Sequence, residues 1–340
     1  MSYHIAILPA SGQNFIAQLV IMQHLSHIGY KPDLLLGSSG GNLVAYICAA
    51  ADFNSFAIER IAKELKPEFF VNPWSSFKPI SNLIGFFNGS SFSQGEGLSE
   101  FLQCYFTKQS ITKYQIVTGT YNKDLQKIRL FFNCSEKESI IHATHFDYDI
   151  TESIPPCFMD GDFDLIATAG LASASIPGLV PPRLIDGHYY SDGASSINSP
   201  MTIIQNALLK SLDANDCLHI TYVNCKDLSQ AKLLPHHNLL DTWKQAVNDL
   251  IKSQTLIDRL AAFDTLKTFA KGDMKKRSFP CDYDHLMDVT LLQQKVKYTL
   301  LEIYPTVSSD LDITNFTTQD IERNMHMFYD KCLCHLWWYE

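Results

Sequence analysis

Short apolar runs and helically periodic segments alternate over the first fifty residues. Residues 4–10 (HIAILPA) form a short apolar run, which predicts a buried strand, and residues 15–29 carry apolar side chains at helical spacing. The pattern then repeats, because 32–39 (PDLLLGSS) again predicts a strand and 42–50 (NLVAYICAA) predicts a helix. Strands and helices in such alternation imply a parallel sheet that is covered by helices.

The remainder of the chain continues this pattern without a visible division. Further strands are predicted at 114–122, 128–133 and 218–225, and further helices at 96–106, 164–173, 237–252, 254–270 and 318–333. The sequence shows no internal repeat, low-complexity linker or change of composition. We therefore predict one α/β domain at residues 1–335, with a mainly parallel central sheet flanked by helices on both faces. The aromatic tail at 336–340 (LWWYE) either packs on this domain or inserts at an interface.

Composition and charge narrow the range of functions. The 340 residues are 46% hydrophobic, which is enough for a sizeable core, and the net charge of −9 argues against a nucleic-acid binder, which needs a basic face. The sequence contains no run of about 18 apolar residues that would span a membrane. Its first residues lack the basic region of a signal peptide. The nine cysteines are scattered, so we expect reduced thiols and a cytoplasmic protein.

The loop at residues 37–41 (GSSGG) stands between the second predicted strand and the second predicted helix. It fits the pattern G-x-S-x-G, with Ser39 at the centre and Gly37 and Gly41 at the two ends. In such a turn a nucleophilic serine is held in a strained conformation, and side chains two positions away would collide with the backbone. The N-terminus of the following helix favours a negative charge beside the serine. Alternatively, the loop is an ordinary Gly-Ser turn or one that binds phosphate.

A serine hydroxyl needs a base to become a nucleophile. The candidate histidines lie in contexts that single none of them out: His142, His145, His188, His236, His237 and His285. A carboxylate is the alternative, and residues 172–200 contain two Asp-Gly pairs. We interpret Asp186 and Gly187 as the turn of a hairpin. Asp192 is followed by glycine and alanine, whose small side chains leave room for a close-approaching helix or substrate.

Two sequence blocks together resemble the patatin-like phospholipase family. Residues 28–50 (IGYKPDLLLGSSGGNLVAYICAA) resemble the family's nucleophile-elbow block, and residues 171–200 (LASASIPGLVPPRLIDGHYYSDGASSINSP) resemble the block that carries its D-G-[GA] motif. Residues 302–331 are similar to the closing strand and helix of such domains. The resemblance extends from about residue 3 to residue 333, and the two motifs lie 153 residues apart.

The resemblance implies a lipid acyl hydrolase that uses a Ser–Asp dyad without histidine. Ser39 would be the nucleophile and Asp192 the general base, and an acyl-enzyme would form during hydrolysis of a phospholipid or another acyl lipid. Such a cycle requires no metal or other cofactor, and the segments at 281–285 (CDYDH) and 332–335 (CLCH) lack recognised ligand spacing. The alternatives are a neutral-lipid esterase, an acyltransferase, or a catalytically weak lipid-binding protein with the same fold.

The chain departs from the family at the loop that follows the first strand. Family members carry G-G-G-x-R-G there, and its backbone N–H groups form the oxyanion hole. The matching residues 10–15 read ASGQNF, in which Gly12 is kept, Asn14 stands in place of arginine, and Phe15 in place of glycine. Ser11 and Gly12 supply N–H groups if the loop keeps its path, although residues with a Cβ restrict φ. Reduced activity, an altered substrate, an activating protein partner and structurally neutral drift are the alternatives.

A lipid hydrolase also requires a surface that meets the lipid. Residues 69–92 are rich in phenylalanine, and Phe86 and Phe87 belong either to the core or to a mobile lid that contacts the substrate. Residues 255–277 form a second candidate, an amphipathic helix followed by basic residues, which suits anionic head groups but equally a solvated helix. We therefore expect peripheral association with a membrane surface.

Overall fold

The computed structural model describes most of the chain. The described residues are 1–70, 100–101, 104–105, 112–147, 153–177, 180–196, 199–213, 215–225, 239–270, 272–307, 309, 311 and 316–339. The strands are β1 (Ser2–Leu8), β2 (Leu34–Ser38), β3 (Gln115–Asn122), β4 (Lys127–Phe132), β5 (Cys157–Phe158), β6 (Arg183–Ile185), β7 (His188–Asp192), β8 (Cys217–Val223), β9 (Met274–Pro280), β10 (Tyr298–Pro305) and β11 (Cys332–Tyr339). The helices are α1 (Phe15–His27), α2 (Gly40–Ala50), α3 (Ser55–Lys63), α4 (Pro67–Phe70), α5 (Phe163–Ser173), α6 (Pro200–Ser211), α7 (Leu239–Phe269), α8 (Tyr283–Gln293) and α9 (Thr318–Tyr329).

One mixed sheet organises the fold. Its path runs β5-β4-β3-β2-β1-β8-β10-β11-β9, and the hairpin β6–β7 joins it at β3. The five neighbouring strands β3, β2, β1, β8 and β10 pair in parallel, and β5 pairs in parallel with β4. The antiparallel pairs are β3–β4, β3–β7, β6–β7, β10–β11 and β9–β11. The predicted fold class, a mainly parallel α/β sheet, is confirmed.

Side chains on β1 alternate between two hydrophobic cores, one on each face of the sheet. Ala6 and Leu8 contribute to a core with α1, α2 and α9, and Ile5 and Ile7 contribute to a core with α6 and α7. Since successive strand residues point to opposite faces, a strand buried on both sides reads as a continuous apolar run, as residues 4–10 do. Helices therefore cover both faces, as the sequence predicts.

Helix α7 differs from the prediction. The segments predicted as two helices at 237–252 and 254–270 form one helix of 31 residues. Its sequence contains neither proline nor glycine to end a helix at an interior position. The long helix crosses the sheet on the face of the second core, and its position matters for the site described below.

The C-terminal part of the described chain also differs from the prediction. The helix predicted at 318–333 ends at Tyr329, and residues 332–339 form β11 between β10 and β9. The segment set apart as an aromatic tail is therefore largely a strand, with Trp337 opposite Leu300 of β10 and Lys276 of β9. The boundary drawn after residue 335 falls inside this strand.

Strand β9 forms the open edge of the sheet beside β11. Its side chains at Lys275, Lys276 and Arg277 are exposed, and Lys276 lies 5.1 Å from the centre of the Trp337 ring. The basic residues predicted to follow an amphipathic helix are thus part of the sheet. Among the described helices, none is both long and apolar enough to cross a membrane.

Candidate active site

Ser39 occupies a strained turn between β2 and α2. Its backbone has φ 52° and ψ −129°, a conformation that residues with a side chain rarely adopt. A Cβ at Gly37 would lie 2.7 Å from Cα of Asn42, and a Cβ at Gly41 would clash with the carbonyl oxygen of Leu8. The two glycines at the ends of the motif are therefore required by close backbone approach, which is the geometry of a nucleophile elbow.

The structure brings Ser39 and Asp192 together across the site. Ser39 Oγ donates a hydrogen bond of 2.6 Å to Asp192 Oδ2, and both residues are 3% exposed. Asp192 ends strand β7, whose pairing with Thr120 of β3 places the carboxylate beside the elbow. The second carboxylate oxygen, Oδ1, accepts a hydrogen bond of 2.8 Å from the backbone N–H of Ala194. Each oxygen of the carboxylate thus has a defined donor.

Burial controls the protonation of this carboxylate. It raises the pKa of Asp192 to about 6, and the hydrogen bonds from Ser39 and from the Ala194 N–H oppose the rise. Above that pH the group is a buried carboxylate with a hydroxyl proton directed at it. Such a group is a stronger base than an ordinary aspartate, so the pair has the geometry of a nucleophile and its general base.

The hairpin interpretation of the first Asp-Gly pair is confirmed. Strands β6 and β7 are antiparallel and are joined by Asp186 and Gly187, which have φ values of 50° and 78°. Positive φ at both central residues is the requirement of a type I′ turn. The hairpin places the end of β7, and with it Asp192, beside Thr120 of β3.

Among the described residues, no candidate histidine is hydrogen-bonded to the Ser39 or Asp192 side chain. His145 is hydrogen-bonded to Ser211, and His285 to Asp282. Residues 236 and 237 lie outside the described residues. None of the described histidines is hydrogen-bonded to Ser39.

Ser173 is a site residue that sequence reasoning missed. The backbone N–H of Ser39 donates to Ser173 Oγ at 2.9 Å, and Ser173 Oγ donates to the carbonyl oxygen of Gly119 at 2.7 Å. The last residue of α5 thus connects the elbow to β3. The signal was present, since Ser173 lies in the second block that carries the family resemblance, but serine has no feature that marks it as a bridge.

The loop that follows β1 packs directly on the elbow. Gly12 has φ 52° and opens a 3-10 turn over 12–14, and Ser11 is 2% exposed. A Cβ at Gly40 would lie 2.5 Å from Ser11 Oγ and 3.0 Å from the carbonyl oxygen of Gly12. Phe15, which replaces a family glycine, begins α1 and is a core residue. That the N–H groups of Ser11 and Gly12 point at the site stays a prediction.

Gly40 is a further candidate for an oxyanion donor that sequence reasoning did not include. It is the first residue of α2, and the first N–H groups of a helix have no partner within the helix. In nucleophile elbows the residue after the serine supplies one donor of the oxyanion hole. The Ser39 N–H is occupied by Ser173, so Gly40 is the donor nearest to the nucleophile along the chain.

An apolar pocket of about 190 Å³ adjoins Asp192. Besides Asp192 and Ser195 it is lined by Ile176, Pro177, Ala194, Ala246, Leu250 and Ile251. Helix α7 supplies one wall, and Cδ1 of Ile251 would lie 3.3 Å from a Cβ at Gly12. The helix therefore spans from the pocket to the loop after β1, a contribution that sequence periodicity does not reveal.

Of the two segments predicted to contact lipid, the structure describes mainly the second. Phe86 and Phe87 lie outside the described residues. On α7, Leu256 and Leu260 are 45% and 56% exposed, whereas Leu266 is buried and the Phe263 ring packs on Trp337 at 4.6 Å. The face predicted as one amphipathic stripe thus divides between solvent and core. Within the described residues, no cluster of three or more His, Cys, Asp or Glu side chains is arranged to hold a metal ion.

Comparisons with known proteins place the chain in a family. The model of the family described as patatin-like phospholipase matches residues 10–204, which include both Ser39 and Asp192. Among solved structures, the chain is similar to VipD from Legionella pneumophila, with 12% sequence identity and a TM-score of 0.36. That match covers 97% of this chain and 66% of the VipD chain. No curated protein sequence matches significantly. Because the family model covers more than half of the chain, the protein belongs to the patatin-like phospholipase family, whose members are lipid acyl hydrolases.

Proposed function

We propose that the protein hydrolyses fatty acyl esters of phospholipids or lysophospholipids through Ser39 and Asp192. The observation that carries the proposal is the 2.6 Å hydrogen bond between the elbow serine and a buried carboxylate. Both residues lie within the part of the chain that matches the family model. A serine that donates to a carboxylate from a strained elbow is arranged for nucleophilic catalysis.

The proposed reaction has two steps. Ser39 Oγ attacks the ester carbonyl carbon as its proton passes to Asp192, and the backbone N–H of Gly40 faces the negative charge that develops on the carbonyl oxygen. The intermediate then expels the alcohol, which takes the proton from Asp192 and leaves the acyl group on Ser39. In the second step, Asp192 takes a proton from water as the water attacks the acyl-enzyme. The fatty acid leaves, and the proton returns to Ser39.

The apolar pocket beside Asp192 supports an acyl chain as the group that is transferred. Its walls are formed almost entirely by aliphatic side chains and adjoin the reacting carboxylate. Burial of each methylene group of a chain contributes about 0.8 kcal/mol. The substrate comes from a lipid aggregate, so we propose that the enzyme acts while peripherally bound to a membrane surface.

The test is to measure fatty-acid release from phospholipid vesicles and labelling by a fluorophosphonate probe. Purified full-length protein should release fatty acid and take up the probe, and Ser39→Ala should do neither. Asp192→Asn should lose hydrolysis while still unfolding in one cooperative thermal transition. Ser26→Ala is the matched control, because its hydroxyl bonds to Met22 O within α1, away from the site.

Two results would redirect the proposal. A folded wild-type protein that neither labels nor hydrolyses but binds vesicles would favour a lipid-binding protein, which the departures at residues 10–15 also favour. Labelling of Ser39 in cell lysate alone would favour an activating protein partner. Hydrolysis that survives Ser39→Ala would contradict the assignment of the nucleophile.

A further inference from the structure

Helix α7 reaches the dyad from outside the part of the chain that matches the family model. That match ends at residue 204, and α7 covers residues 239–269. Gln254, on its buried face, is 1% exposed, and its Nε2 donates a hydrogen bond of 2.8 Å to the carbonyl oxygen of Gly193. Gly193 directly follows the general base in the chain.

Gln254 donates its hydrogen bond to the same peptide group whose N–H is bonded to the carboxylate of Asp192. The carbonyl of Gly193 and the N–H of Ala194 are the two ends of one peptide unit, and this unit is planar. Its N–H donates to Asp192 Oδ1 at 2.8 Å, and Asp192 Oδ2 accepts from Ser39. A continuous row of hydrogen bonds therefore runs from Gln254 through the peptide and Asp192 to Ser39. Bonds in such a row polarise and orient one another.

The surroundings leave no room for a side chain at Gly193. A Cβ at Gly193 would lie 2.5 Å from both the carbonyl oxygen of Gly119 and Ser38 Oγ. The Oε1 atom of Gln254 is buried and has no hydrogen-bond partner among the described residues. The reverse orientation of the amide would place this oxygen against another carbonyl oxygen. The contact with Gly193 therefore requires the nitrogen of Gln254 as a donor.

A second side chain of α7 holds the end of the same segment. Asp258, one turn after Gln254, accepts a hydrogen bond of 3.0 Å from the backbone N–H of Met201 at the start of α6. Both side chains are 1% exposed. Together they anchor the two ends of the segment that leads away from the base, and Gln254 is the one that acts on Asp192.

We propose that Gln254 is a positioning residue for the general base: it orients the Gly193–Ala194 peptide so that the N–H stays on Asp192. The inference rests on the proposed function. Burial raises the pKa of Asp192, the bonds from Ser39 and the Ala194 N–H lower it, and among the described residues no charged side chain contributes. If the peptide turns away, the carboxylate loses a donor and its pKa rises. The enzyme then needs a higher pH to ionise its base.

The test is the pH dependence of kcat/KM for a soluble short-chain ester in Gln254→Met. This variant has similar size and no donor. We expect the acidic limb of the profile to move up by about one pH unit, which lowers kcat/KM about tenfold at pH 5 and changes it little at pH 8.5. The loss should lie in kcat, because Gln254 does not line the apolar pocket. Thr265→Val, at another buried position of α7, is the control and should keep the limb in place.

The outcomes separate this inference from the function on which it rests. If wild-type protein shows no hydrolysis that depends on Ser39, the proposed function fails first. If it hydrolyses and Gln254→Met lowers the melting temperature while leaving the acidic limb unmoved, Gln254 is only structural and the inference is wrong. Should Gln254→Met fail to fold, Gln254→Asn keeps an amide that is one methylene too short to reach. The same upward shift is expected there, and an unmoved limb would again overturn the inference.

Discussion

The backbone N–H of Ser39 is hydrogen-bonded to Ser173 Oγ at 2.9 Å, so the nucleophile is held through its main chain as well as through its side chain. Ser173 passes this constraint to β3 through the carbonyl oxygen of Gly119. The elbow residue has φ 52° and ψ −129°, which a free chain would relax. The hydroxyl of Ser173 thus helps to stabilise the strained backbone conformation of Ser39, in which Ser39 Oγ reaches Asp192.

Ser173→Ala should therefore lower kcat about tenfold, or about 1.4 kcal/mol in activation free energy, with a small loss of stability. The elbow loses its main-chain anchor while the dyad side chains remain. Rates on a short-chain ester and thermal unfolding measure the two effects. Thr168→Val on the same helix removes a hydroxyl whose one hydrogen bond among the described residues goes to Asp164 O, and it should leave the rate unchanged. Equal rates for both variants would show that the bridge to β3 does not matter for catalysis.

The pH profile of the wild-type enzyme should have an acidic limb set by Asp192. Burial raises the pKa of this group to about 6, and the general base must be ionised to accept the proton of Ser39. Hydrolysis should therefore be constant above that pH and fall about tenfold per unit below it. Initial rates of ester hydrolysis between pH 4 and pH 9 give the limb directly. A limb near pH 4 would mean that Asp192 titrates as a solvated carboxylate.

Asp258 should make stability depend on pH in the opposite sense from an ordinary salt-bridged aspartate. Burial raises its pKa to about 7, from a usual value of 3.8. The folded state then binds the proton more tightly than the unfolded state, so the free energy of unfolding falls as pH rises between about 4 and 7. The slope for one such group is about 1.4 kcal/mol per pH unit.

The test is urea unfolding of Asp258→Asn beside wild type at pH 5 and pH 8. The asparagine oxygen can still accept from Met201 N, but it carries no charge to bury. We compare the free energy of unfolding of the variant with that of wild type at each pH. The difference should favour the variant more at pH 8 than at pH 5. A difference between the two proteins that is the same at both pH values would mean that Asp258 does not titrate in this range.

The rim of the apolar pocket should set which acyl chains are cleaved. Leu250 lines the pocket and is 43% exposed, so a larger side chain there narrows the opening without disturbing the core. Leu250→Trp should lower kcat/KM for long-chain esters about tenfold more than for short-chain esters, through KM. Leu256→Trp adds the same bulk at a position of α7 with 45% exposure that does not line the pocket. Equal effects of the two variants would place the acyl chain elsewhere.

The elbow could be predicted from sequence because its determinants are local. Gly37, Ser39 and Gly41 lie within five residues between a strand and a helix, and the two glycines are required by contacts of that turn. The pairing of Ser39 with Asp192 spans 153 residues, and the resemblance to a family supplied it where spacing alone could not. Gln254 is 61 residues from Gly193, and nothing in the periodicity of α7 distinguishes it from other polar positions.

Strand β11 shows a different reason for a missed prediction. Its residues Cys332, Cys334 and Leu336 are buried on alternate positions, so the period of a strand is present in the sequence. The aromatic residues at its end are compatible both with packing on the domain and with insertion at an interface. The strand became recognisable only through its pairing with β10, which depends on contacts that no local pattern encodes.

The order of strands in the sheet has a consequence for synthesis of the chain. Among the described strands β9 pairs with β11 alone, yet α8, β10 and α9 are all translated between the two. Because synthesis proceeds at about 5–20 residues per second, several seconds pass between the synthesis of β9 and that of its partner β11. During this time β9 has no strand paired to it. The positive charges of Lys275, Lys276 and Arg277 discourage another nascent chain from pairing there. The basic residues at the edge of the finished sheet thus also disfavour wrong strand pairing before β11 is made.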